Sequence, residues 1–373
     1  MARSSLRVSL VAGVSVLALA ACAPPSDSGG DGGGGSKAAT ATSAQDLGGM
    51  DALVKAAKKE GQLNVIALPP DWANYANIIK AFGDKYGIKV NSAQPDAASQ
   101  DEINAAKSLK GTDRAPDVFD LGQSVALANT SMFAKYKNAK WDDIGSDFKD
   151  ASGSWVNDYG GYMSIGYDAS KVPAVKGLDD LLGSGFKGKV ALNGNPTEAG
   201  AAFSGVMMAS LGNGGSANDV KPGVDYFAKL KKAGNFLPVD PTSTTIESGQ
   251  TPVVIDWDYL NAAESKKLKN WKVVVPQNAV IAGYYYQAIN KDAPHPAAAR
   301  LWQEFLYSDA GQNLWLAGGA RPVRADAMVK AGSIDKAAYD ALPPVNGKAV
   351  IPTVAQTEKA TKYLSANWTK AVG

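Results

Sequence analysis

The sequence is nearly without cysteine and histidine, since its 373 residues contain one of each, Cys22 and His295. A single thiol cannot form an internal disulfide bond. The scarcity of both residues excludes Cys/His catalytic pairs and leaves most Ser/His/Asp arrangements without support. The chain also lacks a Walker motif, a G-x-G-x-x-G after a strand and an H-E-x-x-H zinc motif. These absences argue against an enzyme and give no reason to expect a metal or another cofactor.

An excess of charge of either sign is also missing. Lys and Arg total 38 and Asp and Glu total 36. Removing an N-terminal signal takes away Arg3 and Arg7 and no acid, so the remainder is neutral at 36 against 36. A neutral body argues against nucleic acid as the partner. Beyond the N-terminus, no stretch approaches the ~20 apolar residues that a membrane-spanning helix needs.

The N-terminus has the features of a secretory signal. Arg3 and Arg7 precede an uncharged apolar run over residues 8–21, which is too short to span a membrane. The run ends in Leu19-Ala20-Ala21-Cys22, which matches the bacterial lipobox. In a lipobox the peptide bond before the cysteine is cut and a diacylglycerol is attached to the sulfur. We therefore predict a signal peptide over residues 1–21 and a lipid on Cys22.

The segment that follows Cys22 is rich in glycine, serine and proline and has little to bury. Residues 22–46 are therefore predicted to form a flexible linker. A lipid, a linker and a folded body together predict a protein held at the extracytoplasmic face of the cell membrane and working in water.

The remaining body of about 325 residues exceeds the usual limit of a single core, so two lobes are predicted. Predicted strands alternate with predicted helices, which indicates an α/β fold with parallel sheets. One long helix is predicted over residues 296–317. Chain crossovers near 162–167, 275–283 and 318–323 divide the body into lobe 1 (47–162 and 276–318) and lobe 2 (163–275 and 319–373).

Polar and aromatic residues stand where predicted strands end, which is where ligands bind in open α/β sheets. Trp72 follows the first strand, Asp120 ends the third, and Trp257 follows a later buried strand. Each also has a structural interpretation, because large aromatics often cover strand ends and an aspartate at such a position often caps a helix. Tyr159 precedes a predicted crossover and either lines a cleft or packs the hinge.

The body resembles the periplasmic solute-binding proteins of bacterial ABC importers, in the group that contains the polyamine, ferric-iron, thiamine and aminophosphonate binders. The resemblance implies a type II periplasmic-binding-protein fold, in which hinge crossovers join two α/β lobes around a ligand cleft. It also implies a monomer that delivers a small-molecule solute to an ABC transporter permease. The phrases that carry the resemblance span residues 86–90, 116–118, 186–190, 290–296 and 308–312.

The nearest site pattern is that of the spermidine/putrescine binders. Those proteins carry Asn-Trp-Thr-Glu-Tyr after strand one, where this chain has Asp71-Trp72-Ala73-Asn74-Tyr75. The resemblance therefore places Trp72 and Tyr75 beside the ligand. It likewise matches a glutamate of the second lobe to Glu198, which alternatively caps the following helix, and a tryptophan after a buried strand to Trp257.

One phrase of that pattern differs in this chain. Where the relatives carry Trp-x-Asp with an ammonium-binding carboxylate, this chain has Gly283-Tyr284-Tyr285. Asp256 and Asp258 are the alternative source of negative charge. Aromatic faces and carboxylates together suit an ammonium group, so we predict a small cationic or zwitterionic, polyamine-like solute. The predicted ligand-binding residues are Trp72, Tyr75, Asp120, Tyr159, Glu198, Trp257, Asp258 and Tyr285.

Three other interpretations use the same chain. A phosphonate or phosphate ester would use the helix N-terminus that Asn193 to Gly200 opens, with Thr197 and Arg321 or Arg324 as contacts; the aminophosphonate and thiamine binders belong to the same broad group. Ferric iron would need tyrosines, a histidine and a carboxylate, but His295 lies in a turn before a predicted helix and is interpreted as structural. A surface hydrolase would need a carboxylate pair such as Asp256 and Asp258.

Overall fold

The computed structural model describes residues 33–343, 345 and 348–373. The predicted signal peptide and Cys22 lie outside these residues. Within the described ranges, no helix is long and apolar enough to cross a bilayer.

The strands of the described residues are β1 (Gln62–Ile66), β2 (Lys89–Ala93), β3 (Val118–Leu121), β4 (Phe133–Ala134), β5 (Val156–Asp168), β6 (Val190–Leu192), β7 (Val253–Trp257), β8 (Trp271–Val274), β9 (Ala282–Asn290) and β10 (Arg321–Pro322). The helices are α1 (Gly33–Thr40), α2 (Met50–Glu60), α3 (Tyr75–Tyr86), α4 (Ser99–Ser108), α5 (Gln123–Ala128), α6 (Gly200–Gly212), α7 (Lys221–Lys232), α8 (Ser243–Glu247), α9 (Asp258–Lys267), α10 (Pro296–Leu306), α11 (Asp309–Ala317), α12 (Ala325–Ala331), α13 (Lys336–Asp340) and α14 (Val354–Val372).

The long strand β5 joins two lobes into one sheet. The main sheet has the order β3-β9-β5-β7-β6, while β1 and β2 form a separate parallel pair. The first half of β5 pairs with β9 as far as Tyr162, and the second half pairs with β7 and β8 from Met163 onward. Lobe one therefore contains β3 and β9, lobe two contains β6 and β7, and the chain passes between them inside β5.

The parallel pairing that the alternation of strands and helices predicts is present in only part of the sheets. Only the β1–β2 and β6–β7 pairs are parallel among the named strand pairs of the described residues, and β3–β9, β5–β7 and β5–β9 are antiparallel. Local alternation of strands and helices does not specify which distant strand becomes a neighbour. β9 lies over a hundred residues beyond β5 in sequence, so its direction relative to β5 is a tertiary property.

The predicted long helix over residues 296–317 is two helices. α10 ends at Leu306 and α11 begins at Asp309. The Ser308 side chain accepts a hydrogen bond from the backbone N–H of Gly311 at 3.1 Å, which is an N-terminal cap. The cap lets the chain turn between the two helices, so both can pack against lobe one.

The last ten residues of the predicted flexible linker belong instead to the folded body. Ala38 and Ala41 are buried, and the Arg300 guanidinium donates to the carbonyl oxygens of Ala39 and Ala41 at 2.9 and 2.8 Å. Small side chains let this segment lie close to α10, and the buried arginine needs these acceptors. The other predicted lobe boundaries remain a prediction.

The C-terminal helix α14 contacts both lobes. Its Trp368 ring packs edge-on against Phe227 of α7, with ring centroids 5.4 Å apart. At its other end, the Thr357 hydroxyl donates to the side-chain oxygen of Gln123, on α5, at 2.7 Å. α14 therefore covers one side of the junction between the lobes.

Candidate ligand-binding cleft

A cavity of 1060 Å³ lies between the two lobes. Trp72 and Asp120, which follow β1 and end β3, form the wall on lobe one. Asn193 and Asp256, at the ends of β6 and β7, form the wall on lobe two. The carboxyl ends of strands from both lobes therefore face one space, as expected for a ligand site in an open α/β sheet.

The wall of this cavity is strongly acidic. Eight acidic side chains and two lysines line it among the residues that the structure describes. Lys267 is already paired with Glu247 and Glu264, both at 3.2 Å. A cavity with this excess of carboxylates attracts cations and disfavours anions. The acidic residues are Asp71, Asp96, Glu102, Asp120, Glu198, Asp240, Asp256 and Glu264, and the lysines are Lys266 and Lys267.

Asp120 is held by tyrosines and keeps one oxygen free of protein partners. Its Oδ2 accepts hydrogen bonds from the hydroxyls of Tyr75 at 2.5 Å and Tyr159 at 3.2 Å. The Tyr159 oxygen in turn accepts from the indole N–H of Trp72 at 2.7 Å. Asp120 is 7% exposed, and its Oδ1 is buried without a partner in the described part of the chain. An unpartnered buried carboxylate oxygen is costly in an apo protein and is a natural acceptor for a ligand N–H.

Burial raises the pKa of Asp120 to about 7, although the hydroxyls of Tyr75 and Tyr159 favour its charged form. Its backbone N–H donates to Glu102 at 3.0 Å. Burial, reinforced by the Asp120 charge, holds the pKa of Glu102 well above its ordinary value. The same two causes raise the pKa of Asp158, which lies deeper in lobe one. A cation in the cavity would reverse this effect on Asp120 by stabilising its carboxylate.

The two aspartates beside Trp257 have different surroundings. Asp256 lines the cavity and accepts from the Asn193 amide at 2.8 Å, and burial raises its pKa to about 7. Asp258 accepts from the backbone N–H of Tyr162 at 2.9 Å and lies 3.7 Å from Arg321. Burial raises the pKa of Asp258 to about 6, against the opposing effect of Arg321. Asp256, whose other oxygen accepts from the Trp257 backbone N–H, therefore lies on the cavity wall, whereas Asp258 lies at the crossover between the lobes.

Aromatic rings support the acidic wall. Trp72 packs edge-on against Tyr285, with centroids 5.9 Å apart, and Tyr285 stacks on Tyr159 at 5.4 Å. The Trp257 indole N–H donates to the Tyr285 hydroxyl at 3.4 Å. A Cβ at Gly283 would lie 2.6 Å from the Trp257 ring, so glycine lets the indole lie flat on β9. Trp72 and Tyr285 thus present ring surfaces to the cavity from a fixed cluster.

A second, smaller cavity of 330 Å³ lies on the other side of this cluster. Its wall is rich in aromatic side chains and contains one acidic side chain, Asp147, among the described residues. Gly200 and Tyr285 belong to the walls of both cavities. The aromatic residues of the smaller wall are Phe148, Trp155, Phe203, Trp257, Tyr284, Tyr285 and Tyr286.

The structure distributes the predicted site residues over several positions. Four line the main cavity and two line the smaller one, with Tyr285 in both. The fully buried Tyr75 and Tyr159 lie one layer behind, where they hold Asp120. Asp120 and Glu198 are not helix caps, because the N-cap residue of α5 is Gly122 and that of α6 is Ala199. Trp72, Asp120, Glu198 and Tyr285 line the main cavity, and Trp257 and Tyr285 line the smaller one.

Six of the eight acidic residues of the wall were not among the predicted site residues, and the buried Asp256 and Glu102 are two of them. Asp256 was noted only as an alternative source of charge, and its position after a buried strand was the available signal. Glu102 lies on α4, where a glutamate ordinarily faces water, and its burial to 1% exposure follows from the packing of α4 against β3. The sequence carries no local sign of that burial.

The groups considered for an anion or for iron are engaged elsewhere. Arg324 binds Asp143 at 2.6 Å and Asp309 at 2.8 Å. Arg321 donates to the Pro343 carbonyl at 2.8 Å and lies over the Tyr162 ring. The ring nitrogens of His295 lie 2.9 Å from Asp117 and 3.1 Å from Asp113, in a buried cluster beside β1. Among the described residues, no group of three or more His, Cys, Asp or Glu is arranged to hold a metal ion.

Two α/β lobes, a continuous connecting strand and a polar cleft between the lobes define a periplasmic-binding-protein fold. The chain belongs to the family of bacterial extracellular solute-binding proteins, whose model matches residues 116–351. The match confirms the predicted family, the fold and the role of a receptor that passes a small solute to an ABC importer outside the cytoplasm. No curated protein matches the sequence.

Solved structures are similar to this chain over most of its length. AgtB from A. tumefaciens R10, solved with agropinic acid, has a TM-score of 0.67 at 16% identity, covering 84% of this chain and 98% of AgtB. A ferric binding protein from Campylobacter jejuni has a TM-score of 0.61 at 18% identity, covering 83% and 99%. The spermidine/putrescine binding protein PotD from Streptococcus pneumoniae has a TM-score of 0.56 at 15% identity, covering 84% and 99%. At these identities the likeness concerns the fold alone.

Proposed function

We propose that this chain is a lipid-anchored receptor that captures a small cationic, polyamine-like solute and delivers it to its permease. The observation that carries the proposal is the free, buried Oδ1 of Asp120 in an acidic cavity. An ammonium placed against this oxygen would form a charge-assisted hydrogen bond in a water-poor site. The faces of Trp72 and Tyr285 would add cation–π attraction of roughly 0.5–2 kcal/mol for each well-placed ring.

The distribution of charge supports a cation over an anion. Phosphate and carboxylate groups are usually held by arginine in a bidentate geometry, and both candidate arginines bind protein groups instead. The N-terminus of α6 at Gly200 does reach the cavity and presents free N–H groups. A zwitterion with its ammonium at Asp120 and an anionic end at Gly200 is therefore also compatible with the cleft.

The proposed membrane anchor depends on the sequence around Cys22. A lipid there would hold the body near the permease, with the segment before residue 37 as the connection. Membrane fractionation of cells producing the full chain tests this point. Cys22→Ser is expected to abolish acylation and to move the protein from the detergent-extracted membrane fraction to the soluble fraction. An unchanged acylation signal in the variant would exclude Cys22 as the lipid site.

A thermal-shift and calorimetry series tests the ligand class. Spermidine and putrescine are compared with 2-aminoethylphosphonate, thiamine and ferric citrate. A bound compound at 100 times its Kd stabilises the folded state by about 2.7 kcal/mol. We expect the two polyamines to stabilise the protein and ferric citrate to have no effect. Stabilisation by an anion alone would contradict the proposal.

A matched pair of glutamate variants locates the binding site. Glu198→Gln removes one exposed charge from the cavity wall, and Glu358→Gln removes an exposed charge on α14 outside that wall. We expect spermidine affinity to fall in the first variant and to stay at the parent value in the second. Equal affinities in both variants would exclude Glu198 from the site.

A further inference from the structure

We propose that Gly122 and Gly200 form the contact that limits how far the two lobes close, and that full closure requires glycine at both positions. Gly122 follows β3 in lobe one, and Gly200 is the first residue of α6 in lobe two. The two backbones touch next to the Tyr285 hydroxyl. The inference depends on the receptor class of the family and is independent of which solute is bound.

The distances at this contact leave no room for a side chain. A Cβ on Gly122 would lie 3.1 Å from the Gly200 Cα, and a Cβ on Gly200 would lie 3.2 Å from the Gly122 Cα. Carbon atoms in ordinary contact are ~3.5–4.0 Å apart. In both cases the opposing atom is backbone, which cannot rotate aside as a side chain does. A Cβ at either position therefore requires the two backbones, and with them the lobes, to separate by a few tenths of an ångström, and a larger side chain requires more.

Neither residue needs glycine for its own conformation. Gly122 has φ −63° and ψ 148°, values that any residue adopts, and neither glycine has a positive φ. Gly200 occupies the first position of a helix, where alanine is intrinsically preferred to glycine. The close approach of the lobes accounts for both glycines, and local backbone geometry accounts for neither.

The position of the contact connects it to binding. Gly122 is fixed in lobe one, because its N–H donates to the Ser99 hydroxyl at 2.9 Å. Gly200 belongs to the wall of both cavities, so the contact separates the acidic cavity from the aromatic one. A receptor that binds its solute between closed lobes has an apparent affinity reduced by the fraction of molecules unable to close. The glycine pair should therefore control affinity through closure, and Gly122, which is outside the wall of the acidic cavity, should do so without contact to the solute.

A disulfide trap measures closure without any solute. Across the cleft, the Ser243 hydroxyl donates to the Asp71 carboxylate at 3.0 Å. These two side chains meet across the cleft, so Asp71→Cys and Ser243→Cys place thiols on facing sides of it, and the rate of their reaction reports the approach of the lobes. All variants carry Cys22→Ser in the full chain, which leaves the two introduced cysteines as its only thiols. The rate of disulfide formation with oxidised glutathione is the measured quantity.

In this background we expect Gly122→Ala and Gly200→Ala each to slow disulfide formation about tenfold, and Gly122→Val to slow it by a factor of about 100 or more. Gly177→Ala is the matched control, because Gly177 is extended and no atom lies within 4 Å of its Cβ position. Its rate should equal that of the parent. Circular dichroism melting of the reduced proteins verifies folding, and the two alanine variants decide the test if the valine variant does not fold.

Two results would overturn the inference. One is disulfide formation at the parent rate in folded Gly122→Ala and Gly200→Ala proteins. The other is an equal slowing in Gly177→Ala, which would show a general effect of added methyl groups. Spermidine titration of the same glycine variants without the two introduced cysteines, which keeps Asp71 in the cavity wall, separates this test from the proposed function. If the parent does not bind spermidine, the cationic ligand is refuted, while the disulfide rates still decide the role of the glycines.

Discussion

Replacing Asp120 with asparagine should change ligand binding and apo stability in opposite directions. Asparagine has nearly the same shape, so its carbonyl oxygen can still accept from the hydroxyls of Tyr75 and Tyr159. Its amide takes the place of the unpartnered carboxylate oxygen. The substitution therefore removes the negative charge from the cavity wall with little change in packing. A role limited to holding the two tyrosines would leave binding unaffected.

The stability effect follows from the raised pKa. In the folded protein the pKa of Asp120 is about 7, against an ordinary value of 3.8. Between these values the folded state binds more protons than the unfolded state, so stability falls as the pH rises. Each unit of difference corresponds to about 1.4 kcal/mol, so ionisation of Asp120 costs the ligand-free protein on the order of 4 kcal/mol above pH 7. Asp256 contributes in the same direction, because burial also raises its pKa to about 7.

The binding effect has the opposite sign. Loss of one partner of a buried charge pair typically costs about 2–5 kcal/mol of affinity. We therefore expect Asp120→Asn to weaken spermidine binding at pH 8 by a factor of about 100. In the parent protein, affinity should fall about tenfold for each pH unit below 7, as Asp120 becomes protonated while the amine stays charged. The variant should lose part of that pH dependence.

Urea unfolding without ligand at pH 5.5 and pH 8, together with calorimetry with spermidine at both values, provides the test. The parent should be less stable at pH 8 than at pH 5.5, and Asp120→Asn should be the more stable protein at pH 8. Equal spermidine affinity in parent and variant would refute the assignment of Asp120 to the site. A variant less stable than the parent at pH 8 would refute the argument from its pKa.

Three further predictions concern other parts of the molecule. Trp72→Ala, at a partly exposed position, should leave the fold intact and weaken spermidine binding about 3- to 30-fold through lost cation–π attraction; calorimetry with an unchanged affinity would remove Trp72 from the site. His295→Ala should lower the free energy of unfolding by about 1–3 kcal/mol, since the buried Asp117 loses its imidazole partner and keeps only backbone N–H donors, and should not change binding; a loss of affinity without a loss of stability would contradict this. Arg300→Ala should expose residues 37–46 to limited proteolysis, whereas an uncut segment would show that the contacts to Ala41 are not needed.

Local structure was largely readable from the sequence. The bounds of α2 and α3 can be read from the sequence, because in each an apolar stripe of helical period ends at a glycine. Strand direction was not readable, since the pairing of β5 with β9 joins distant parts of the chain. The break at Ser308 was also missed, because Ser-Asp-Ala-Gly continues a helical pattern unless the serine caps it.

The sequence indicates the region of the candidate site better than it indicates which side chains line the cavity. The strand ends singled out in the sequence line the main cavity, and the meeting of strand ends at one cleft is a property of the fold class. Which side chains face the space and which lie behind it depends on burial. Tyr75 and Tyr159 are fully buried and act through Asp120, although their residue type resembles that of Tyr285 on the wall. No periodicity within one strand distinguishes these layers, because they come from different elements.

The uninterrupted course of β5 through both lobes has a mechanical consequence. A loop between domains rotates freely about a few backbone bonds, whereas β5 is hydrogen-bonded to β9 up to Tyr162 and to β7 from Met163. A change in the angle between the lobes must therefore alter the twist of a paired sheet, and paired strands resist changes in twist. The junction behaves as an elastic element with a preferred angle. The energy needed to open the cleft is then stored in the backbone, and substitutions at Tyr162 or Met163 should change the resting angle without altering the groups that contact the solute.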